Sequence, residues 1–447
     1  MLRPWETGRT CSTWPAWGLL ERHRSLPRRA LTPDGARVSA ARASVRVFIV
    51  HPRDPAAPTL GGIQTFLRDF IKYAPADFEI SFVGTTRDPV ARPVGKWLAL
   101  HVHERAIRFL AVGPSSGVAR SLPTFVRSLR GVALLWRALG AGNEILQVHR
   151  PYRRFMLDRH HGPTVQFIHL DLRDWPGPQG WPRLKRLYRE FADGTIERMD
   201  RVFIVNETGA TMLRSEWPTI AERIEFLPVW YDAEVFMPAP AEDRLRLRSE
   251  LAARLGIGPA VDAVRFVLLA VRLTEIKRPL LAIEALSALG ERGRTDIQLV
   301  VAGSGELLDA ARQRAQELRV AERVHFLGDV PREEIAQLMQ ASDALLLTAR
   351  SEGGGPRVVL EALACGLPVV STTVVEVKRT VTHRSNGWLV DEATPDSLAD
   401  GLAWAVDQPR APIAAAAVQA VRPFTAQLML SGLYETYRAI AATSHPR

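Results

Sequence analysis

From Val264 onward the chain alternates short apolar runs with amphipathic stretches so regularly that few architectures can accommodate it. The apolar runs lie at 264–271, 297–302, 324–327, 344–348 and 368–371. Helical periodicity falls near 279–290, 306–319, 332–341, 357–365 and 396–406. Runs of four to eight mostly apolar residues, each followed by a helix, are the pattern of strands buried on both faces of a parallel sheet, which predicts an α/β layer structure. Within that pattern Ala341–Thr372 is the most informative stretch. It reads as a strand, the loop Ser351-Glu-Gly-Gly-Gly355, a helix opened by Pro356 and closed by Gly366, and another strand. A glycine loop opening onto a helix N-terminus offers free backbone N–H groups and the positive end of a dipole, hence an anion site.

Two carboxylates flank that site, Glu352 before the glycines and Glu361 inside the helix. Carboxylates repel bare phosphate but accept bidentately from vicinal hydroxyls, so the ligand expected is one with phosphates at one end and hydroxyls at the other, as in a nucleotide-sugar. The first half of the chain adds a compatible feature. Val45–Val50 reads as a strand, a loop with three prolines follows, and Leu60-Gly61-Gly62 opens an amphipathic helix from about Ile63 to Tyr73. Glycine lets the backbone approach a ligand closely. Further strands are expected at 78–84, 108–112, 144–149, 164–169 and 200–205, with Asn206 capping the helix after the last of them. His169 stands at the carboxyl end of its strand, where open α/β sheets place ligands.

The stretch EGGGPRVVLEALACGLPVV resembles the signature of the retaining GT-B glycosyltransferases of the group 1 family (glycosyltransferase family four). That signature carries two glutamates separated by seven residues, then E-A-x-x-x-G-x-P-V. Glu361, Ala362, Gly366, Pro368 and Val369 fit its second half. Counted strictly, Gly353 occupies the first-glutamate slot; with one residue inserted in the glycine loop, Glu352 presents that carboxylate. Val271-Arg272-Leu-Thr-Glu-Ile-Lys277-Arg278 resembles the family's G-R-L-x-x-x-K-G, with both cations kept and both glycines replaced. Gly303-Ser-Gly305 matches its A-G-x-G turn, and Ile224–Pro238 its interdomain connection, with Val229-Trp230 in place of Asn-Gly.

The resemblance covers roughly residues 46–440. It implies two Rossmann-like domains facing a cleft: residues 46–235 on the acceptor side, 236–422 holding the nucleotide-sugar, and a helix over 423–441, with Tyr434 and Tyr437, crossing back to the first. It implies transfer of a sugar from a nucleotide-diphosphate sugar, a UDP- or GDP-sugar, with retention of configuration, onto a glycan or lipid-linked acceptor of the cell envelope. It assigns catalytic roles to His169, Arg272, Lys277 and Glu352. Donor binding falls to Gly61, Gly62, Arg272, Lys277, Gly353, Gly354, Gly355 and Glu361. No D-x-D triplet occurs in the sequence; the leaving diphosphate would instead meet Arg272, Lys277 and backbone amides, so no metal or other cofactor is expected. Two alternatives stand beside this reading: a degenerate sugar-nucleotide binder, and a nucleotide-sugar epimerase on the same fold. A dinucleotide enzyme is disfavoured because no G-x-G-x-x-G follows a strand.

Net charge is +10, and residues 1–45, with 8 basic and 3 acidic residues, hold half of that excess. This arginine-rich leader shows no sustained period and is expected to be disordered. Elsewhere basic residues are scattered among acidic ones, so nucleic-acid binding is not expected. Two cysteines, Cys11 and Cys365, cannot build a disulfide framework, which suits a reducing cytoplasm. Uncharged runs fall short of the roughly 18–20 residues that span a bilayer. Ser121–Leu139, an apolar helix bearing Arg127, Arg130 and Arg137, reads either as a sheet-covering helix or, with Arg183–Arg189, as a peripheral contact with anionic lipid.

Overall fold

A computed structural model describes residues 44–57, 61–115, 129–140, 143–149, 159–169, 196–258, 261–351, 355–374 and 376–443. The expected leader, all but its last two residues, lies outside these, as do the basic stretch 183–189 and most of the arginine-bearing start of the 121–139 helix.

The first half builds an eight-stranded sheet. Its elements are β1 (Val45–Val50), α1 (Gly62–Lys72), β2 (Phe78–Thr86), β3 (Trp97–Val102), β4 (Arg105–Pro114), α2 (Leu129–Leu139), β5 (Ile145–Val148), β6 (Thr164–Ile168), β7 (Arg201–Ile204), α3 (Glu207–Glu216) and β8 (Ile224–Phe226). The strand order is β3-β4-β2-β1-β5-β6-β7-β8, parallel throughout except where β3 turns back antiparallel along β4. β3 was not foreseen, and its place explains why. It is an edge strand with alternate residues outward, and Trp97 is partly exposed with the Arg108 guanidinium 4.8 Å from its ring centroid. In the described part of the 121–139 helix, Leu135 and Leu139 pack under the sheet while Arg137 is exposed, as a sheet-covering helix requires.

The second half comprises α4 (Ala241–Arg254), β9 (Arg265–Ala270), α5 (Pro279–Glu291), β10 (Ile297–Ala302), α6 (Leu308–Glu317), β11 (Val324–Gly328), α7 (Arg332–Ala341), β12 (Ala344–Leu347), α8 (Arg357–Ala364), β13 (Val369–Thr372), β14 (Gly387–Val390), α9 (Pro395–Asp407) and α10 (Arg410–Val421). Its six strands run parallel in the order β11-β10-β9-β12-β13-β14. Both sheets therefore wind outward in two directions from a central strand, the doubly wound arrangement expected from the alternation. Helix α4 escaped the sequence reading because arginines and glutamates dilute its apolar stripe. It is held through Arg244 and Arg248, which grip Asp343 at 2.8 and 2.9 Å.

The last helix, α11 (Ala426–Thr443), returns to the first sheet. Leu430, Leu433, Tyr434, Tyr437 and Ile440 are buried with Phe66, Phe70, Phe78 and Phe167 in one core, each burial contributing about 1.5–3 kcal/mol. The Tyr434 hydroxyl donates to the Phe70 carbonyl at 2.6 Å. No described helix is long and apolar enough to cross a membrane.

Candidate functional site

In the second sheet β9 and β12 are neighbours, yet their chains leave to opposite faces. α5, after β9, packs in one core and α8, after β12, in another. A crevice opens at such a switch point, beyond the strands' carboxyl ends. The segment after β9 carries Arg272 and Lys277, and the segment after β12 leads to Gly355 and α8. The two are clamped together. Thr348 Oγ1 donates to the carbonyls of Lys277 and Arg278 at 2.7 and 3.0 Å, the Arg350 amide donates to Ile276 at 2.8 Å, and Arg278 Nε donates to the Thr348 carbonyl at 2.7 Å. Arg278 sits at φ 48°, ψ 56°, the left-handed conformation that favours glycine. Its guanidinium bonds offset that strain, which accounts for an arginine where the family has glycine.

Gly303 and Gly305 have a specific role here. A Cβ on Gly303 (φ +137°) would lie 2.0 Å from the Val271 carbonyl, and one on Gly305 would lie 2.3 Å from that of Leu273. The turn seats the Arg272 segment by backbone contact, with Leu273 N–H donating to Ser304 at 3.0 Å. Arg272 is exposed and makes no ion pair among the described residues. Gly355, at φ +83°, precedes α8. Glu352, Gly353 and Gly354 lie outside the described residues.

On the first sheet, Gly61 (φ 120°) caps α1, and among the described residues no atom lies within 4 Å of a Cβ built on Gly61 or Gly62. His169 follows β6 and faces an unforeseen companion, His149, whose Nδ1 is 2.8 Å from His169 Nε2. The rings lie nearly parallel, 5.1 Å apart, with Phe66 edge-on to both at 5.2 Å. Burial pushes the His169 pKa down to about 3, and the nearby Arg357 guanidinium adds to this. Burial holds His149 well below the usual histidine range too. Both rings are neutral at physiological pH.

Glu361 proves to be buried within an ionic cluster at the junction of the two sheets. Asp69 of α1, wholly buried, accepts from Arg332 of α7 at 2.8 Å, from Arg357 of α8 at 3.3 Å and from the Trp230 indole N–H at 2.9 Å. Arg357 also donates to the Trp230 carbonyl at 2.7 Å. Asp232 accepts from Lys72 at 2.8 Å and Tyr73 at 2.6 Å, and Arg332 approaches it to 3.7 Å. Burial pushes the Glu361 carboxyl pKa up, opposed by Arg332 and Arg357. Trp230, standing where the family has glycine, is fully buried with its ring 4.6 Å from Phe66. None of Asp69, Trp230, Arg332 and Arg357 carried a site signal in the sequence: the partners are 127–288 positions apart and each in isolation reads as ordinary.

Comparison with known proteins bears on the fold that carries these residues. Residues 259–421 match the family model of glycosyl transferases group 1. The chain is 32% identical over 234 residues to a GDP-mannose-dependent alpha-(1-6)-phosphatidylinositol monomannoside mannosyltransferase of Mycobacterium tuberculosis, an alignment covering 50% of this chain and 57% of the relative, so it spans little more than half of that protein's length. A Corynebacterium glutamicum protein named as a GDP-mannose-dependent monoacylated alpha-(1-6)-phosphatidylinositol monomannoside mannosyltransferase is 26% identical over 365 residues, 79% of this chain and 87% of the relative. Among solved structures, sucrose-phosphate synthase from Thermosynechococcus elongatus superposes with a TM-score of 0.69 at 18% identity, over 90% of this chain and all of that one. An Anabaena protein solved with UDP and glucose gives 0.67 at 18% identity, over 88% of this chain and all of that one. These likenesses establish the GT-B fold. Over residues 259–421 the chain is thus similar to the family of glycosyl transferases group 1.

Proposed function

We propose that this protein transfers a sugar from a nucleotide-diphosphate sugar to a hydroxyl of a glycan or lipid-linked acceptor, with retention of configuration and without a metal. The observation that supports the reading is the clamp at the switch point between the segment after β9, which carries Arg272 and Lys277, and the Thr348–Arg350 segment that leads toward α8. In this reading residues 236–422 hold the donor, while residues 46–235, with the returning helix 423–441, take the acceptor. Arg272, Lys277, the Gly61-Gly62 turn and the 353–355 amides stabilise the leaving diphosphate, Glu352 holds sugar hydroxyls, and Glu361 the ribose. Among the described residues no carboxylate is placed as nucleophile, and the reading takes attack to be front-face. The anomeric carbon–phosphate oxygen bond breaks, the acceptor oxygen bonds to the same face of that carbon, and the acceptor's proton passes to the departing phosphate.

The donor base, UDP or GDP, follows the two groups of similar proteins, and an inositol-containing or mannosylated lipid is the first acceptor class to try. Such an acceptor would place the protein on the cytoplasmic face of a membrane, with the 121–139 helix as the contact. The test is a panel of UDP-, GDP-, ADP- and dTDP-sugars with EDTA present, scored for binding and for transfer. Transfer that survives EDTA and falls about 10²-fold or more in Arg272→Ala and Lys277→Ala supports the reading. Binding without transfer to any acceptor points to the degenerate binder, and transfer restored only by a divalent cation overturns the account of the leaving group.

A further inference from the structure

Behind His169 runs a buried chain of polar side chains ending on the last helix. The Tyr437 hydroxyl donates to Gln147 Oε1 at 2.6 Å. Gln147 Nε2 lies 2.8 Å from His149 Nε2, and His149 Nδ1 lies 2.8 Å from His169 Nε2. Tyr437 and Gln147 are wholly buried, and His149 is 4% exposed.

The direction of donation through this chain follows from its far end. A phenol carries one hydrogen, and Tyr437, packed against Phe70 and Phe78, has the Gln147 amide as its bonded partner. The hydroxyl must therefore donate, and the amide must turn its oxygen to it. That leaves the amide N–H to donate to His149 Nε2, which is then a bare acceptor. A neutral imidazole holds one proton, so His149 carries it on Nδ1 and donates to His169 Nε2. His169 Nε2 is bare in turn, and its proton sits on Nδ1, for which no protein partner is found among the described residues. Reversing every step would leave the Tyr437 hydrogen without an acceptor inside an aromatic core. Proton positions are here inferred from the network. Both rings being neutral, as burial dictates, is what makes the inference determinate.

We propose that Tyr437 and Gln147 are positioning residues that hold His169 in its Nδ1–H form, so that it meets a bound sugar as a hydrogen-bond donor and not as a base. The inference rests on the transferase reading for its substrate, but not for its chemistry. The oxygen that accepts this N–H would be a hydroxyl or the ring oxygen of the donor sugar. Gln147 lies in β5 and His149 one residue beyond its end, so side-chain alternation puts the two on one face, with Gln147 meeting α11 through Tyr437.

The test is a long-range 15N correlation spectrum of the histidine rings, which needs no turnover. Wild type is expected to show His149 and His169 as Nδ1–H tautomers. Tyr437→Phe frees the Gln147 amide to turn, so both tautomers appear and kcat falls about 10-fold with little change in KM, a fraction of what a preorganised donor supplies. Gln147→Met breaks the chain one link closer and gives the same spectrum should Tyr437→Phe fail to fold. Tyr434→Phe, which removes a hydroxyl from the same helix outside the chain, lowers stability but leaves spectrum and kcat unchanged. His169→Asn, with its amide nitrogen near the place of Nδ1, retains more activity than His169→Gln. An Nε2–H tautomer of His169 in wild type, or a Tyr437→Phe spectrum identical to wild type, overturns the proposal. If no nucleotide-sugar is turned over the transferase reading fails, while the spectra still decide the tautomers.

Discussion

Replacing Asp69 with asparagine tests the ionic cluster at the junction of the two sheets. The buried part of the cluster holds Asp69, Asp232 and Glu361 against Lys72, Arg332 and Arg357, with the exposed Glu234 also pairing Lys72 at 2.7 Å. Asp69→Asn keeps the shape but removes the charge that Arg332 and Arg357 share. It also turns an amide N–H toward either Arg332 or Trp230, both of which are donors. Breaking a buried pair by removing one partner costs about 3–5 kcal/mol, because the remaining charge stays desolvated. With an m value near 3 kcal/mol/M in urea, the midpoint drops by about 1–1.7 M. Tryptophan fluorescence suits the measurement, since Trp230 bonds Asp69 directly, and the earliest transition is the one compared because a chain of this size need not unfold in two states. Glu79→Gln, at an exposed strand position, controls for surface charge and moves stability by less than about 0.5 kcal/mol. The double variant Asp69→Asn/Arg332→Gln restores the balance and recovers part of the loss. A midpoint shift under about 0.3 M, or a double variant no better than the single, refutes the argument and means that the guanidinium groups are satisfied without Asp69.

Gly303→Ala forces a side chain against the Val271 carbonyl at a backbone angle that disfavours one. It costs about 1–2 kcal/mol in strain alone, and by displacing Arg272 it raises the donor KM about 10-fold or more, measured by steady-state kinetics with chemical denaturation alongside. The histidine pair makes stability pH-dependent with a defined sign. Folded-state pKa values below the unfolded value near 6.5 mean that the unfolded chain binds more protons, so stability is present above pH 6.5 and is lost at up to about 1.4 kcal/mol per unit per ring as pH falls below it. Urea midpoints between pH 7 and pH 4.5 are expected to fall less in His169→Asn than in wild type, since the other histidines contribute equally to both; equal slopes would show that His169 does not titrate with folding. Glu352→Gln is expected to abolish transfer while Gly353→Ala leaves it within about 10-fold, by the same transfer assay, if the inserted residue leaves Glu352 facing the sugar.

Much of the second sheet was legible because its signals are local. A buried parallel strand announces itself by four to six apolar residues, and the turns at Gly303 and Gly366 by the conformations only glycine takes without strain. His169 could be singled out by standing at a strand's carboxyl end. β3, β14, α4 and α10 were missed for separate reasons: an edge strand half exposed, a strand with a tryptophan and a glycine among its four residues, a helix diluted by arginines, and an alanine-rich helix with little stripe. The environment of Glu361 was out of reach, because the buried anion and cations around it arrive from α1, α7 and the 228–232 connection. Trp230 was noted only as a departure from Asn-Gly; that it fills the junction is a fact of three dimensions.

The return of α11 has a consequence for how the molecule comes into being. Tyr437 meets Gln147 across 290 positions, and Tyr434 meets Phe70 across 364. Chains emerge N-terminus first at about 5–20 residues per second, so β5 is complete roughly 15–60 s before the helix that covers it exists. During that interval Phe70 and Phe78 lack the Tyr434 and Tyr437 rings that pack on them, while the second sheet, whose contacts are local, can close by itself. The half translated first is thus the half finished last, and a ribosome stalled anywhere before residue 426 leaves it uncovered.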